Sequence, residues 1–227
     1  MPRMARRVCP RVPHHVTRRG NRREEVFFTA VDRDFYLKCL AEYADQHQVE
    51  VLAYCLMTNH IHLVAVPAGE AGLHRLLTPL HMRYAQRINR RKRWKGHLWQ
   101  GRCFSSALDE EYLWAAICYV ERNPVRAKRV RKAENYPWSS AAARCGLRQD
   151  KVLSSPPAWC RQFESIGDWS AWLAGGDEPN QLEILRRNAD KGLPCGSERF
   201  IRRIETLMGR DLTFRPRGRP KKDEEKG

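Results

Sequence analysis

The sequence contains no CxxC pair. Its eight cysteines stand at 9, 39, 55, 103, 118, 145, 160 and 195, without the paired-ligand spacing of a zinc ribbon. Cys39, Cys55 and Cys118 fall in apolar-periodic segments, the setting of buried free thiols in a reducing compartment. No apolar run reaches the length of a membrane span, and the start of the chain has no apolar signal core. A cytoplasmic protein is therefore expected. Acidic residues are scarce: 26 Asp and Glu face 42 Lys and Arg, a formal charge of +16. That excess calls for a polyanionic partner. Nucleic acid comes before membrane, because no basic cluster carries the clean apolar helical face of a membrane-surface segment.

The 227 residues suffice for one domain of ordinary size plus an extension. The basic residues cluster in four stretches, Arg18 to Arg23, Arg83 to Lys95, Arg122 to Arg131 and Arg215 to Lys222.

Around Thr58-Asn59-His60-Ile61-His62-Leu63-Val64-Ala65-Val66-Pro67 the pattern predicts a buried strand, opened by a turn and closed by proline. Side chains alternate along a strand, so His60 and His62 share one face while Ile61 and Leu63 share the other. Two imidazoles side by side on a rigid strand make a platform for a divalent transition metal. The same pair also reads as two half-buried, hydrogen-bonded histidines, and the local sequence leaves both readings open.

In chain order, residues 1–13 read as an irregular basic arm and His14 to Thr17 as a first strand. The polar, glycine-containing run Arg18-Arg19-Gly20-Asn21-Arg22-Arg23 suits a phosphate-binding loop or a solvated turn. Asp32 is expected to cap a helix running to about Gln48, and Val49 to Leu56 forms a strand in a hairpin with the His60 strand. Leu73, Leu76, Leu77, Leu80, Tyr84 and Ile88 mark a second amphipathic helix, with a kink expected at Pro79. It runs into Arg90-Arg91-Lys92-Arg93-Trp94, basic residues interleaved with an aromatic on which a splayed base can stack. A further strand is expected within 98–108, around Gly101-Arg102. Strand, helix, strand, strand, helix, strand is the α+β, ferredoxin-like β-α-β-β-α-β arrangement with an antiparallel sheet.

A third helix opens at Asp109 and shows Leu113, Ala116, Ile117 and Val120 on one face. Tyr119 and Asn123 lie one turn apart on its flank, and Pro124 ends or bends the helix. Helical stretches follow near 158–173, 180–189 and 197–208. The expected division is a catalytic domain over 10–132, a helical extension over 133–208 and a disordered basic tail over 209–227.

Leu56-Met57-Thr58-Asn59-His60-Ile61-His62-Leu63 resembles the HUH motif (His, bulky apolar, His) of single-tyrosine transposases. Tyr119-Val120-Glu121-Arg122-Asn123-Pro124-Val125-Arg126-Ala127 is similar to that family's catalytic helix. His15-Val16-Thr17-Arg18-Arg19-Gly20-Asn21, Leu98-Trp99-Gln100-Gly101-Arg102 and Tyr136-Pro137-Trp138-Ser139-Ser140 are similar to three further signatures. Together they resemble the REP-associated tyrosine transposases, over about residues 10–145 and only loosely beyond. One departure is Lys128-Arg129, where the family usually has glycine.

The resemblance implies cleavage and rejoining of single-stranded DNA next to REP-like hairpins. Tyr119 would be the nucleophile, with His60, His62 and Asn123 holding Mg or Mn. Tyr112, two turns earlier, is a competing nucleophile without an Asn partner. Arg18, Arg19, Asn21, Arg22, Arg91, Arg93, Trp94 and Arg102 are the expected DNA contacts of the folded part. A non-catalytic hairpin binder and a water-using phosphoesterase are the other readings. Either a monomer or a homodimer fits the sequence. In the tail, Pro216-Arg217-Gly218-Arg219-Pro220 resembles the core of an AT-hook, so Arg217 and Arg219 are expected in the minor groove of A·T-rich duplex, in keeping with a nucleoid location.

Overall fold

The computed structural model describes residues 8–101, 103–155, 162–189, 191–209 and 211–212. The expected DNA contacts Arg102, Arg217 and Arg219, and the arm up to residue 7, lie outside the described residues. Four strands form one antiparallel sheet: β1 (His14–Arg19), β2 (Val49–Leu56), β3 (His60–Pro67) and β4 (Phe104–Ala107), in the order β2-β3-β1-β4. With α1 (Ala30–Gln46) between β1 and β2, and α2 (Gly72–Lys92) between β3 and β4, this is the expected α+β arrangement. The last strand is shorter than the 98–108 run suggested.

The sheet is buried on both faces, which is why β2 and β3 read as nearly continuous apolar runs. Val16, Tyr54, Leu56, Ile61, Leu63 and Ala65 pack against α1 and α2. Val64, Val66 and Cys55 pack on the other face against α3 (Glu110–Glu121). A bulge in β2 between Val51 and Ala53 breaks the alternation, so Leu52 and Ala53 both join the α3 side.

Helix starts follow side-chain chemistry. Thr29, not Asp32, is the N-cap of α1; Asp32 sits three residues on and closes a capping box with it. The buried Asp32 carboxylate also binds Arg91 through both oxygens. Helix α2 is unbroken across Pro79.

Beyond α3 come α4 (Asn123–Arg126), α5 (Ala141–Arg144), α6 (Gln162–Ser165), α7 (Trp169–Ala174), α8 (Pro179–Ala189) and α9 (Glu198–Met208). The single helical stretch expected over 158–173 is interrupted between Ser165 and Trp169. Phe163, Trp169, Leu173 and Leu185 pack with Trp114 of α3, so this region shares the core on that face of the sheet. Helix α9 presents Ile204 to Cys9, Val12 and Ala107. The described part of the N-terminal arm is thus packed and not loose, with Val8, Cys9 and Val12 all buried.

The Tyr136 to Ser140 signature seals the free edge of β2. Leu56 N donates to Trp138 O at 2.8 Å, Ser140 N to Tyr54 O at 3.0 Å, and Tyr54 N to the Ser140 hydroxyl at 3.0 Å. The Tyr136 hydroxyl donates to Leu56 O at 2.9 Å. An edge strand that would otherwise offer unpaired amides to another chain is closed by its own sequence.

Candidate active site

His60 and His62 lie on the sheet face that α3 crosses, with ring centroids 5.0 Å apart. The apolar stripe of α3, Leu113, Ala116, Ile117 and Val120, is buried against that face. This packing leaves Tyr119 half-buried on the flank, with its ring set edgewise to His62 at 5.3 Å. His15, on the neighbouring strand β1, completes the cluster. Its ring stacks on His62 at 5.2 Å with an interplanar angle of 13° and meets Tyr119 edgewise at 5.6 Å. Asn123 is buried at the first position of α4, directly after Arg122 closes α3. The four-residue spacing from Tyr119 therefore spans a helix junction. Tyr112 shares no ring contact with these histidines among the described residues.

Both HUH histidines use the same ring nitrogen for support. His62 Nδ1 lies 3.0 Å from His15 Nε2, and His60 Nδ1 lies 2.6 Å from Asn59 Oδ1. Among the described residues neither Nε2 has a hydrogen-bond partner, so these atoms remain for a ligand. Burial pushes the His15 and His60 imidazoles down to about 4, assisted by the charges of Arg126 and Arg19 respectively. Burial, followed by the neighbouring His60 and His15, holds His62 well below 6.5. All three rings are neutral near pH 7, the state a metal ion requires of imidazole. The donor set fits a divalent ion in part. No three His, Cys, Asp or Glu residues cluster for a metal among the described residues.

The family model for IS200-like transposases matches residues 10–123, half of the chain. The chain belongs to the IS200-like transposases. A solved structure of a REP-associated tyrosine transposase bound to a REP hairpin is similar at a TM-score of 0.50 and 17% identity, over 68% of this chain and 92% of that one. That likeness shows a shared fold. A candidate transposase from Deinococcus radiodurans R1 aligns at a TM-score of 0.37 and 19% identity, over 48% of this chain and 88% of that one. No curated protein matches the sequence.

Among the described residues, the surface of this transposase separates exposed cations from committed ones. Arg19 and Arg22 are exposed, Asn21 is half-buried, and the turn between them depends on Gly20, where a Cβ would come within 2.7 Å of Val26 and closer still to Glu24 O. Arg93 is exposed at the left-handed end of α2. Trp94 is 47% exposed and stands edgewise to Phe28 at 5.6 Å, with the Lys92 ammonium 4.3 Å over the Phe28 ring. Arg18 and Arg91 are engaged within the fold. Arg18 donates to His81 Nδ1 at 2.9 Å and to Gly101 O at 3.1 Å, under the Trp99 ring, and Arg91 is bound to Asp32. The described residues contain no helix long and apolar enough to cross a membrane.

Three residues of the transposase site were not singled out for a role from sequence. His15 opens the motif His15 to Asn21, yet its contact with His62 depends on strand register. Arg126 and Asp177 meet beside Tyr119 although 51 residues separate them. No local pattern marks that pair.

Proposed function

We propose that this transposase is a REP-associated-type enzyme that cleaves and rejoins single-stranded DNA beside hairpins, with Tyr119 as nucleophile. The observation that carries the reading is the approach of the Tyr119 ring to His62, 5.3 Å between centroids, on a histidine face whose Nε2 atoms are unpaired among the described residues. His60, His62 and Asn123 would hold a Mg or Mn ion, which when bound neutralises charge on the scissile phosphate and orients it. Tyr119 Oη attacks phosphorus and loses its proton. The bond from phosphorus to the 3′ oxygen breaks, and that oxygen leaves as a hydroxyl carrying a proton. The resulting 5′-phosphotyrosine keeps the energy of the phosphodiester, so a second 3′-hydroxyl reseals the strand without ATP. Arg19, Asn21, Arg22, Arg93 and Trp94 offer backbone neutralisation and a stacking surface. The hairpin bound by the REP-associated structural relative supports a hairpin ligand here.

A 5′-labelled and a 3′-labelled hairpin oligonucleotide incubated with Mn and resolved on a denaturing gel test this. A covalent protein adduct from the wild type, lost in Tyr119→Phe, is expected. Uncut oligonucleotide on that gel together with a mobility shift on a native gel would make the protein a hairpin binder, and free product without adduct would make water the nucleophile.

A further inference from the structure

Tyr119 is held from behind by a partly buried ionic clamp. The Arg126 guanidinium carbon lies 4.2 Å from the centroid of the Tyr119 ring, and the same group donates to the Tyr119 carbonyl. Arg126 Nη1 is bifurcated between the two carboxylate oxygens of Asp177, at 3.0 and 2.9 Å. Asp177 belongs to the loop between α7 and α8, in the C-terminal helical region. It also accepts from Arg122 Nε at 3.3 Å, while another Arg122 nitrogen donates to Leu173 O. Cys118 Sγ donates to Gly176 O at 3.5 Å and ties the same loop to α3. The Asp177 side chain is only 10% exposed and both arginines 18%.

Each part of this arrangement restrains the next. A guanidinium stacked on an aromatic face gains cation–π attraction, more when it is desolvated. A buried guanidinium keeps one orientation only while its N–H groups have acceptors. Asp177 and the Tyr119 carbonyl are the two acceptors that fix the plane of Arg126, and Arg126 forms one wall of the Tyr119 ring. Without Asp177 the guanidinium turns toward water, and the ring gains rotational freedom beside the histidines.

We propose that Asp177, acting through Arg126, positions the Tyr119 ring for attack, so that the C-terminal helical region completes the active site. The proposal rests on the reading of Tyr119 as the nucleophile. Neither residue touches the reacting phosphate in this scheme; both are positioning residues. Displacing a reacting group by about 1 Å costs on the order of 100-fold in rate, which sets the size of the expected effect.

The test uses the full chain and two readouts. In single-turnover reactions with the hairpin oligonucleotide and Mn, Asp177→Ala and Arg126→Ala should each slow adduct formation about 10- to 100-fold, with hairpin affinity within about two-fold. The double variant should be no slower than Arg126→Ala alone, because one residue acts through the other. Asp177→Asn, which keeps the shape, covers the case that alanine at 177 prevents folding. Glu198→Ala, a charge removed from a side chain 90% exposed in the same region, should leave the rate unchanged. In the second readout, tyrosine-ring-labelled protein in Mg is examined by NMR, with the Tyr119 resonance assigned by its loss in Tyr119→Phe. That resonance should move in Asp177→Asn and stay in Glu198→Ala. An unmoved resonance overturns the clamp whatever the activity, as does a rate in the Asp177 variants equal to that of a wild type that forms adduct. A wild type without adduct whose Tyr119 resonance moves in Asp177→Asn upholds the clamp and overturns the nucleophile.

Discussion

His15 Nε2 and His62 Nδ1 lie 3.0 Å apart between two adjacent strands, both side chains buried. The contact fixes the orientation of the His62 ring and leaves its other nitrogen without a hydrogen-bond partner among the described residues. Groups that support a metal-binding histidine in this way typically govern affinity by about 10- to 100-fold. His15→Ala is accordingly expected to weaken Mn binding about 10-fold in calorimetric titration, with the thermal unfolding transition still cooperative. An unchanged Mn affinity would reduce His15 to a packing residue.

His62→Ala should abolish cleavage while leaving hairpin affinity within a few-fold, because the exposed cations carry most of the attraction to the DNA backbone. Filter binding at fixed salt and the denaturing gel measure the two effects separately. Affinity falling in proportion to cleavage would mean that the histidine face holds the fold together.

Glu121 provides a pH dependence of stability. It is buried, accepts from the Ser140 hydroxyl at 2.6 Å and from Trp169 Nε1 at 2.7 Å, and burial pushes its carboxyl up from 4.5 to about 7. Below pH 4.5 the group is protonated folded and unfolded alike. Between 4.5 and 7 the unfolded chain releases the proton that the native state retains, so stability falls as pH rises and the loss is complete above 7. The loss from this one group is on the order of 3 kcal/mol. Glu121→Gln can keep both contacts, with its amide oxygen facing Trp169 and the Ser140 hydroxyl turned toward Tyr54 O. Urea midpoints at pH 5 and pH 8 should therefore differ less in Glu121→Gln than in the wild type; equal differences would reject the assignment.

The AT-hook-like run at Arg217 to Arg219 is expected to tether the enzyme to A·T-rich duplex near its single-stranded target. Leu212 is buried with Ile204 and its amide donates to Glu205, so a truncation that respects the fold begins at residue 213. Removing residues 213–227 should weaken binding to A·T-rich duplex more than to G·C-rich duplex at matched salt, with hairpin cleavage largely kept. Equal losses on both duplexes would leave only non-specific electrostatics.

The order of strands and helices was legible in the chain because apolar residues repeat at two or at about 3.6 residues wherever one face is buried. The same periodicity put His60 and His62 on one face and Tyr119 on the flank of its helix, which is as far as local pattern reaches. Tertiary structure decided which distant groups meet. The sequence separations of 47 from His15 to His62 and of 51 from Arg126 to Asp177 are bridged by strand register and by the packing of α7 and α8 on α3. Neither is encoded in a local repeat. Arg18 and Arg91 show the same limit from the other side. Their sequence context is that of surface cations, and only the folded positions of His81 and Asp32 give them partners, because an acceptor buried in the fold leaves no trace in the residues beside the donor.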